Sequence, residues 1–103
     1  MSDGFEITKE EKNDALKFHV KGRVDSLNAN ALQFRLDEAL RDGNIIIVLN
    51  MSQVGYISST GIRVLLKTYK EAGELGGSFK IEYPSDNVKN VLGMTALDEM
   101  LLS

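Results

Sequence analysis

The sequence predicts an α/β protein, a mixed sheet of four to five strands with helices packed against it, in the order β-β-α-β-α-β-α. Segments of strand length alternate with segments of helical periodicity, and strands that alternate with helices usually run parallel within one sheet. In addition, residues 45–50 consist of a continuous apolar run, rich in β-branched residues, that ends at Asn50. Such a run is typical of a central strand that is covered on both faces.

The composition limits the size and class of the protein. Its 103 residues are enough for one domain, residues 1–103, and 43% hydrophobic with 26% charged residues are usual in globular proteins. The net charge of −3, without a cluster of Lys and Arg, argues against nucleic-acid binding. The N-terminus does not resemble a signal peptide, and no apolar stretch reaches membrane-spanning length. We therefore expect a cytoplasmic protein without direct membrane insertion.

The first quarter of the chain predicts a β-hairpin. Residues 5–8 alternate weakly between apolar and polar types, and the charged, Asn-containing stretch of residues 9–14 predicts a turn. Leu16, Phe18 and Val20 then alternate with polar residues, as in a strand with one buried face.

The next segment predicts a helix, because its apolar residues recur at steps of three and four. These residues are Leu27, Ala31, Leu32, Leu36, Ala39 and Leu40. Ser26 or Asn28 can cap the start of this helix, and Gly43 can close its end.

The second half predicts two further helices and one further strand. After the apolar strand, residues 52–55 predict a loop, and a helical stripe follows that ends at residues 76–77. The stripe consists of Ile62, Leu65, Leu66 and Tyr69. Residues 79–83 alternate as a strand that Pro84 stops, and Ser85 or Asp86 can open a short helix that breaks near Gly93. Residues 94–103 predict one or two more helical turns.

The sequence offers no catalytic residues. His19 is the only histidine and lies on the polar side of a strand, and cysteine is absent. A metal site or a nucleophile–base pair would need partners that the chain lacks. The glycines within residues 73–77 follow a helix rather than a strand, so they predict a helix end and not a phosphate-binding loop. We expect neither an enzyme nor a bound metal or cofactor.

Three consecutive hydroxyl residues, Ser58, Ser59 and Thr60, precede the second helix. One hydroxyl is enough to cap a helix, so at least one more is left to face solvent or a partner. Gly61 lacks a side chain beside these hydroxyls, and we expect it to let a partner approach closely. The residues alone leave two interpretations open, a structural cap or a switch, since phosphorylation would add about −1.5 to −2 charges here.

A longer pattern resembles a known family. Residues 50–66, which include Ser58-Ser59-Thr60-Gly61, resemble the signature of STAS-domain anti-sigma factor antagonists. Residues 22–25, Gly-Arg-Val-Asp, resemble the family's second landmark, a turn ahead of the first helix. The resemblance extends from about Phe5 to Leu97. Many family members carry Asp where this chain has Ser58.

The resemblance implies a STAS fold and a role in a bacterial partner-switching circuit. The unphosphorylated protein would bind an anti-sigma factor that is also a serine kinase of the histidine-kinase-like ATPase type, and so free its client. Phosphorylation would end this binding, and a metal-dependent serine phosphatase would restore it. The alternative is a STAS scaffold subunit of a stress-signalling or membrane transport complex, without phosphorylation.

The resemblance also implies the site residues. It places the acceptor on Ser59, two residues before the motif glycine, with Ser58 as second choice. The partner-binding surface would consist of Asp25, Ser58, Ser59, Thr60, Gly61 and Arg63. No exposed apolar heptad pattern demands a dimer, so we expect a monomer.

Overall fold

The computed structural model describes residues 4–102, and its strands and helices follow the predicted order. The elements are β1 (Glu6–Lys12), β2 (Ala15–Val24), α1 (Ser26–Arg41), β3 (Ile46–Ile57), α2 (Ser59–Glu74), β4 (Ser78–Glu82), α3 (Asp86–Met94) and α4 (Asp98–Leu101). One sheet has the strand order β1-β2-β3-β4. β1 is antiparallel to β2, whereas β2, β3 and β4 are parallel. The predicted mixed α/β architecture is therefore confirmed.

The β1–β2 hairpin is confirmed, but its turn is shorter than predicted. β1 continues to Lys12, which pairs with Ala15, so only Asn13 and Asp14 form the turn. Asn13 has a φ of 58°, a conformation that asparagine tolerates better than most residues. The charged residues 9–12 belong to an exposed edge strand, where charges discourage pairing with other chains. Their charge is therefore no sign of a turn.

One face of the sheet forms the core and the other is largely polar. The strand residues of the buried face include Leu16, Phe18, Val20, Ile47, Leu49, Met51, Phe79 and Ile81. On the opposite face, Val48 is half-buried and lies between Lys17 and Lys80 in the sheet register. Lys17 Nζ forms a salt bridge with Glu82 Oε2 at 3.1 Å across this face. The prediction that β3 is covered on both faces is therefore wrong.

β3 is twice as long as the predicted strand, so the predicted loop through Ser52, Gln53 and Gly55 is wrong. The pairing of β2 with β3 shifts register twice, between His19 and Lys21 and between Gly22 and Arg23. Such irregularities break the two-residue alternation of a strand. The buried residues at this end of β3 are Met51, Val54 and Ile57, three positions apart, a spacing that resembles neither a regular strand nor a loop.

The ends of the first two helices are confirmed. Gly43 follows α1 with a φ of +91°, and Gly76 follows α2 with a φ of +85°. In α1, the amide of Asn44 donates to the carbonyl of Ala39 at 2.9 Å, the hydrogen bond of a helix closed by a glycine. Ser85 caps α3, as predicted, but α3 runs past Gly93 to Met94.

A hydrogen bond between Glu10 on β1 and His19 on β2 lowers the pKa of Glu10. His19 Nε2 lies 2.7 Å from Glu10 Oε1, and this hydrogen bond holds the pKa of the Glu10 carboxyl below its usual value of 4.5. A depressed carboxyl pKa contributes stability above the unfolded-state pKa, and this contribution is lost as the pH falls through the folded-state pKa. We expect His19→Thr to raise the pKa of Glu10, as followed by NMR titration of its side chain.

A control variant separates the hydrogen bond from general charge effects. Lys12 lowers the pKa of Glu10 only through its charge, as the weakest of the contributions to the shift. Lys12→Gln should therefore move the pKa of Glu10 less than His19→Thr does. An equal change in both variants would contradict the assignment to the hydrogen bond.

Candidate functional site

The ends of β2 and β3 bring the starts of α1 and α2 together. Val24 and Ile57 are the last residues of their strands and are partners in the sheet. The next residue along the chain, Ser58, donates its amide hydrogen to the carbonyl oxygen of Val24 at 2.9 Å. Asp25 and Ser58 therefore occupy equivalent positions at one edge of the sheet, and each is the cap of the helix that follows it.

Asp25 caps α1. Its Oδ1 accepts a hydrogen bond from the amide of Asn28 at 2.9 Å, and its backbone is extended, as in most helix caps. The expectation that Ser26 or Asn28 caps this helix is therefore wrong; Ser26 is the first residue inside it. The carboxylate also lies at the positive end of the helix dipole, where a negative charge is stabilising.

The three hydroxyls of residues 58–60 have different surroundings. Ser58 Oγ accepts a hydrogen bond from the amide of Gly61 at 3.1 Å and so caps α2. Thr60 is half-buried, and its Oγ1 lies 3.5 Å from Ser26 Oγ on α1. Ser59 is the first residue of α2 and is exposed. The cap interpretation therefore accounts for Ser58, and it leaves the hydroxyl of the exposed Ser59 without a structural role.

Gly61 does not have the predicted role of leaving space for a partner, because it is buried. A Cβ atom at this position would lie 2.8 Å from Ile57 Cγ1 and 2.9 Å from Val24 Cγ1. Real Cβ atoms almost never approach other atoms this closely. The glycine therefore lets α2 pack tightly against the ends of β2 and β3, beneath the exposed hydroxyl.

We expect Gly61→Ala to destabilise the protein by roughly 1–3 kcal/mol, the usual cost of overpacking a core. Both clashing atoms belong to side chains at strand ends, so the start of α2 can shift instead of unfolding. Chemical denaturation measures the loss. Gly93→Ala is the control, because nothing lies within 4 Å of the corresponding Cβ; a similar loss in both variants would contradict the packing argument.

Two arginines flank the hydroxyls. Arg63 is exposed on α2, one helical turn after Ser59. Arg23 places its guanidinium over the ring of Tyr56, 4.3 Å from the ring centroid. Neither Arg23 nor Tyr56 was predicted as a site residue, although both lie within the family-like segments. Their pairing follows from the β2–β3 register, in which they are partners.

The face that α1 turns to the core also differs from the prediction. Its buried residues are Ala29, Leu32, Leu36 and Ala39. Leu27 and Ala31, which the sequence grouped with the other apolar residues of this helix, are exposed, as is Phe34. A helix turns about 100° per residue, so positions 27, 31 and 34 lie opposite the buried set. An apolar surface therefore faces solvent directly after Ser26.

The family model of the STAS domain matches residues 6–102. The chain belongs to the STAS-domain family. The anti-sigma-B factor antagonist of Bacillus subtilis is 27% identical to this STAS domain over 93 residues, which cover 90% of this chain and 84% of the relative. The family resemblance seen in the sequence is thereby confirmed.

Solved structures share the fold of this STAS domain. An anti-sigma factor antagonist from Mycobacterium paratuberculosis is similar with a TM-score of 0.86 and 23% identity, over 98% of this chain and 86% of that one. The unphosphorylated form of SpoIIAA from Bacillus has a TM-score of 0.82 and 17% identity, over 94% and 86%. At these identities the likeness shows the fold alone.

Family membership also supports the prediction that this STAS domain is a regulator and not an enzyme. Among residues 4–102, none of the helices is long and apolar enough to cross a membrane.

Proposed function

We propose that this STAS protein is an anti-sigma factor antagonist that is switched by phosphorylation of Ser59. The observation that carries the proposal is the exposure of Ser59 at the first position of α2, beside the capping residues Asp25 and Ser58. The relatives from Bacillus subtilis and Mycobacterium paratuberculosis are named anti-sigma factor antagonists. This supports an anti-sigma factor as the partner.

The position of Ser59 suits an acceptor better than that of Ser58. The Ser58 oxygen holds the cap of α2, so a phosphate there would disturb the start of the helix. Asp is as good a cap as Ser, which explains why Ser58 can stand where many family members carry Asp. Ser59 does not cap the helix, and its side chain is exposed to solvent.

The fold can accept a phosphate on Ser59 without rearrangement. The group would lie at the start of α2, where backbone amides and the helix dipole favour negative charge. SpoIIAA, which is known in phosphorylated form, resembles this protein in that state as well, with a TM-score of 0.75. This supports a switch that acts on the surface and keeps the fold.

Phosphorylation would act on binding through charge. The dianion would stand near Asp25, at a surface that a partner must cover and dehydrate. Covering an unpaired charge costs several kcal/mol. The unphosphorylated protein therefore binds its partner, and the phosphorylated form is released.

The other components of the proposed circuit follow from the family resemblance. The anti-sigma factor is a serine kinase of the histidine-kinase-like ATPase type, and it phosphorylates the protein that binds it. A metal-dependent serine phosphatase removes the phosphate. The antagonist acts in the cytoplasm as a monomer and does not contact nucleic acid.

Phosphate transfer tests the proposal. The purified protein is incubated with ATP and, one at a time, with the anti-sigma factor kinases of the same organism, and the modified residue is located by tandem mass spectrometry. We expect one phosphate, on Ser59, and none on Ser59→Ala. Ser58→Ala is the matched control and should still accept phosphate. A phosphate on Ser58 would contradict the assignment, and tight binding without phosphate transfer would favour the scaffold alternative.

A further inference from the structure

The outer face of α1 carries an apolar stripe that the core does not use. We define the outer stripe as Leu27, Ala31 and Phe34. Leu27 is 78% exposed and Phe34 is 61% exposed, and Ala31 lies between them and is also exposed. The positions i, i+4 and i+7 lie on one helix face and extend over about 10 Å. An exposed apolar face of this kind is typical of a surface that binds a partner.

The segment of α1 that carries the outer stripe contains no charged residue. Residues 26–34 include no Asp, Glu, Lys or Arg, although these types make up 26% of the chain. The first charged residue of α1 is Arg35. An exposed helix face usually carries charged side chains. Glu38, one turn after Phe34, is the first charged residue on this face. A partner can therefore cover residues 27–34 without dehydrating an ion, and an apolar, uncharged surface is the best complement.

The outer stripe is continuous with the surface around Ser59. Leu27 follows Ser26, and Ser26 Oγ lies 3.5 Å from Thr60 Oγ1, next to Ser59 along α2. The amide of Ser58 is bonded to Val24, one residue before the cap of α1. A single partner surface can therefore cover the start of α2 and the stripe together.

We propose that the outer stripe is the apolar half of the docking surface, and that an uncharged, apolar face of the same anti-sigma factor covers it. This inference rests on the proposed function, since it assigns a second contact to the partner that modifies Ser59. The outer stripe and the surface around Ser59 contribute differently to binding. The outer stripe supplies affinity in both states of the protein, and Ser59 supplies the charge that ends binding.

Affinity measurements with two glutamine variants test the inference. The probe is the anti-sigma factor that transfers phosphate to Ser59 in the experiment above, titrated by calorimetry into the unphosphorylated protein without ATP. Leu27→Gln and Phe34→Gln should each weaken binding at least tenfold, and the double variant about a hundredfold. Because both side chains are exposed, neither substitution should shift the unfolding midpoint. Leu75→Gln is the matched control, since Leu75 is 54% exposed just after the other end of α2, and should bind normally.

The possible outcomes separate this inference from the proposed function. If Ser59→Asp abolishes binding while the glutamine variants bind normally, the inference is overturned and the switch stands. If no anti-sigma factor binds or phosphorylates the protein, both fail. Sedimentation analysis tests whether a second copy of this chain binds the outer stripe instead. A dimer that Phe34→Gln dissociates would show this and overturn the inference.

Discussion

Ser59→Asp is expected to weaken binding of the anti-sigma factor more than a hundredfold, while Ser59→Ala should bind at least as well as the unmodified protein. The partner would have to dehydrate the carboxylate, at a cost of about 3 kcal/mol, and each 1.4 kcal/mol changes affinity tenfold. Removing the hydroxyl leaves a small neutral side chain and prevents phosphorylation, so Ser59→Ala should remain bound when ATP is added.

Isothermal calorimetry with the purified partner measures both affinities. Ser59→Asn is the matched control, because asparagine has nearly the size of aspartate but no charge. If Asn binds like Ala and Asp does not, charge causes the loss. Thermal unfolding should show that Asp does not destabilise the protein, since an acidic residue suits the first turn of a helix. Equal affinities for the Asp and Ala variants would rule out the electrostatic switch.

The second large effect concerns the connection between α2 and β4. Gly77→Ala is expected to destabilise the protein by roughly 3 kcal/mol or more, at the upper end of overpacking effects. A Cβ on Gly77 would overlap the carbonyl oxygen and carbon of Ile45. This carbonyl cannot move away easily, because it accepts the amide of Ser78 at 2.8 Å where β4 begins.

The same substitution four residues earlier should have the opposite sign. Gly73 lies inside α2, with nothing within 4 Å of the position of its Cβ. Alanine is favoured over glycine within a helix by up to about 1 kcal/mol, so Gly73→Ala should stabilise the protein. Urea denaturation of both variants compares the two effects directly. A small loss for Gly77→Ala would mean that the start of β3 yields more readily than its hydrogen bonds suggest.

The sequence predicts an element of this fold correctly where the pattern within that segment determines its structure. The hairpin, the apolar strand and the two glycine-closed helices follow from alternation, periodicity and backbone preference. The loop predicted through Ser52 and Gly55 failed because two register shifts in the neighbouring strand changed the periodicity of β3. That information lies in the pairing of β2 with β3 and not within the segment itself.

In the candidate site, too, some features follow from the local sequence and others only from the packing of distant segments. The sequence identifies the hydroxyl cluster, but three adjacent hydroxyls look alike until the start of α2 gives the cap to Ser58 and exposes Ser59. The role of Gly61 was misjudged, because its neighbours Val24 and Ile57 come from two strand ends. The apolar residues of α1 were likewise grouped by spacing. Only the packing shows that Leu27 and Ala31 are exposed and that Ala29 takes the core position.

The two outer strands of the sheet restrict how other proteins can associate with this one. Along β4, Leu102 forms a parallel bridge with Ile81, and Lys80 Nζ donates to the carbonyl of Met100 at 3.1 Å, so residues 100–102 cover part of that edge. β1 presents mostly charged, solvent-facing side chains. Neither edge of the sheet is therefore favourable for pairing with a strand from another protein. A strand of another protein therefore does not add easily to this sheet, and amyloid-like stacking of copies is disfavoured for the same reason. Partners are expected to bind through side-chain surfaces instead.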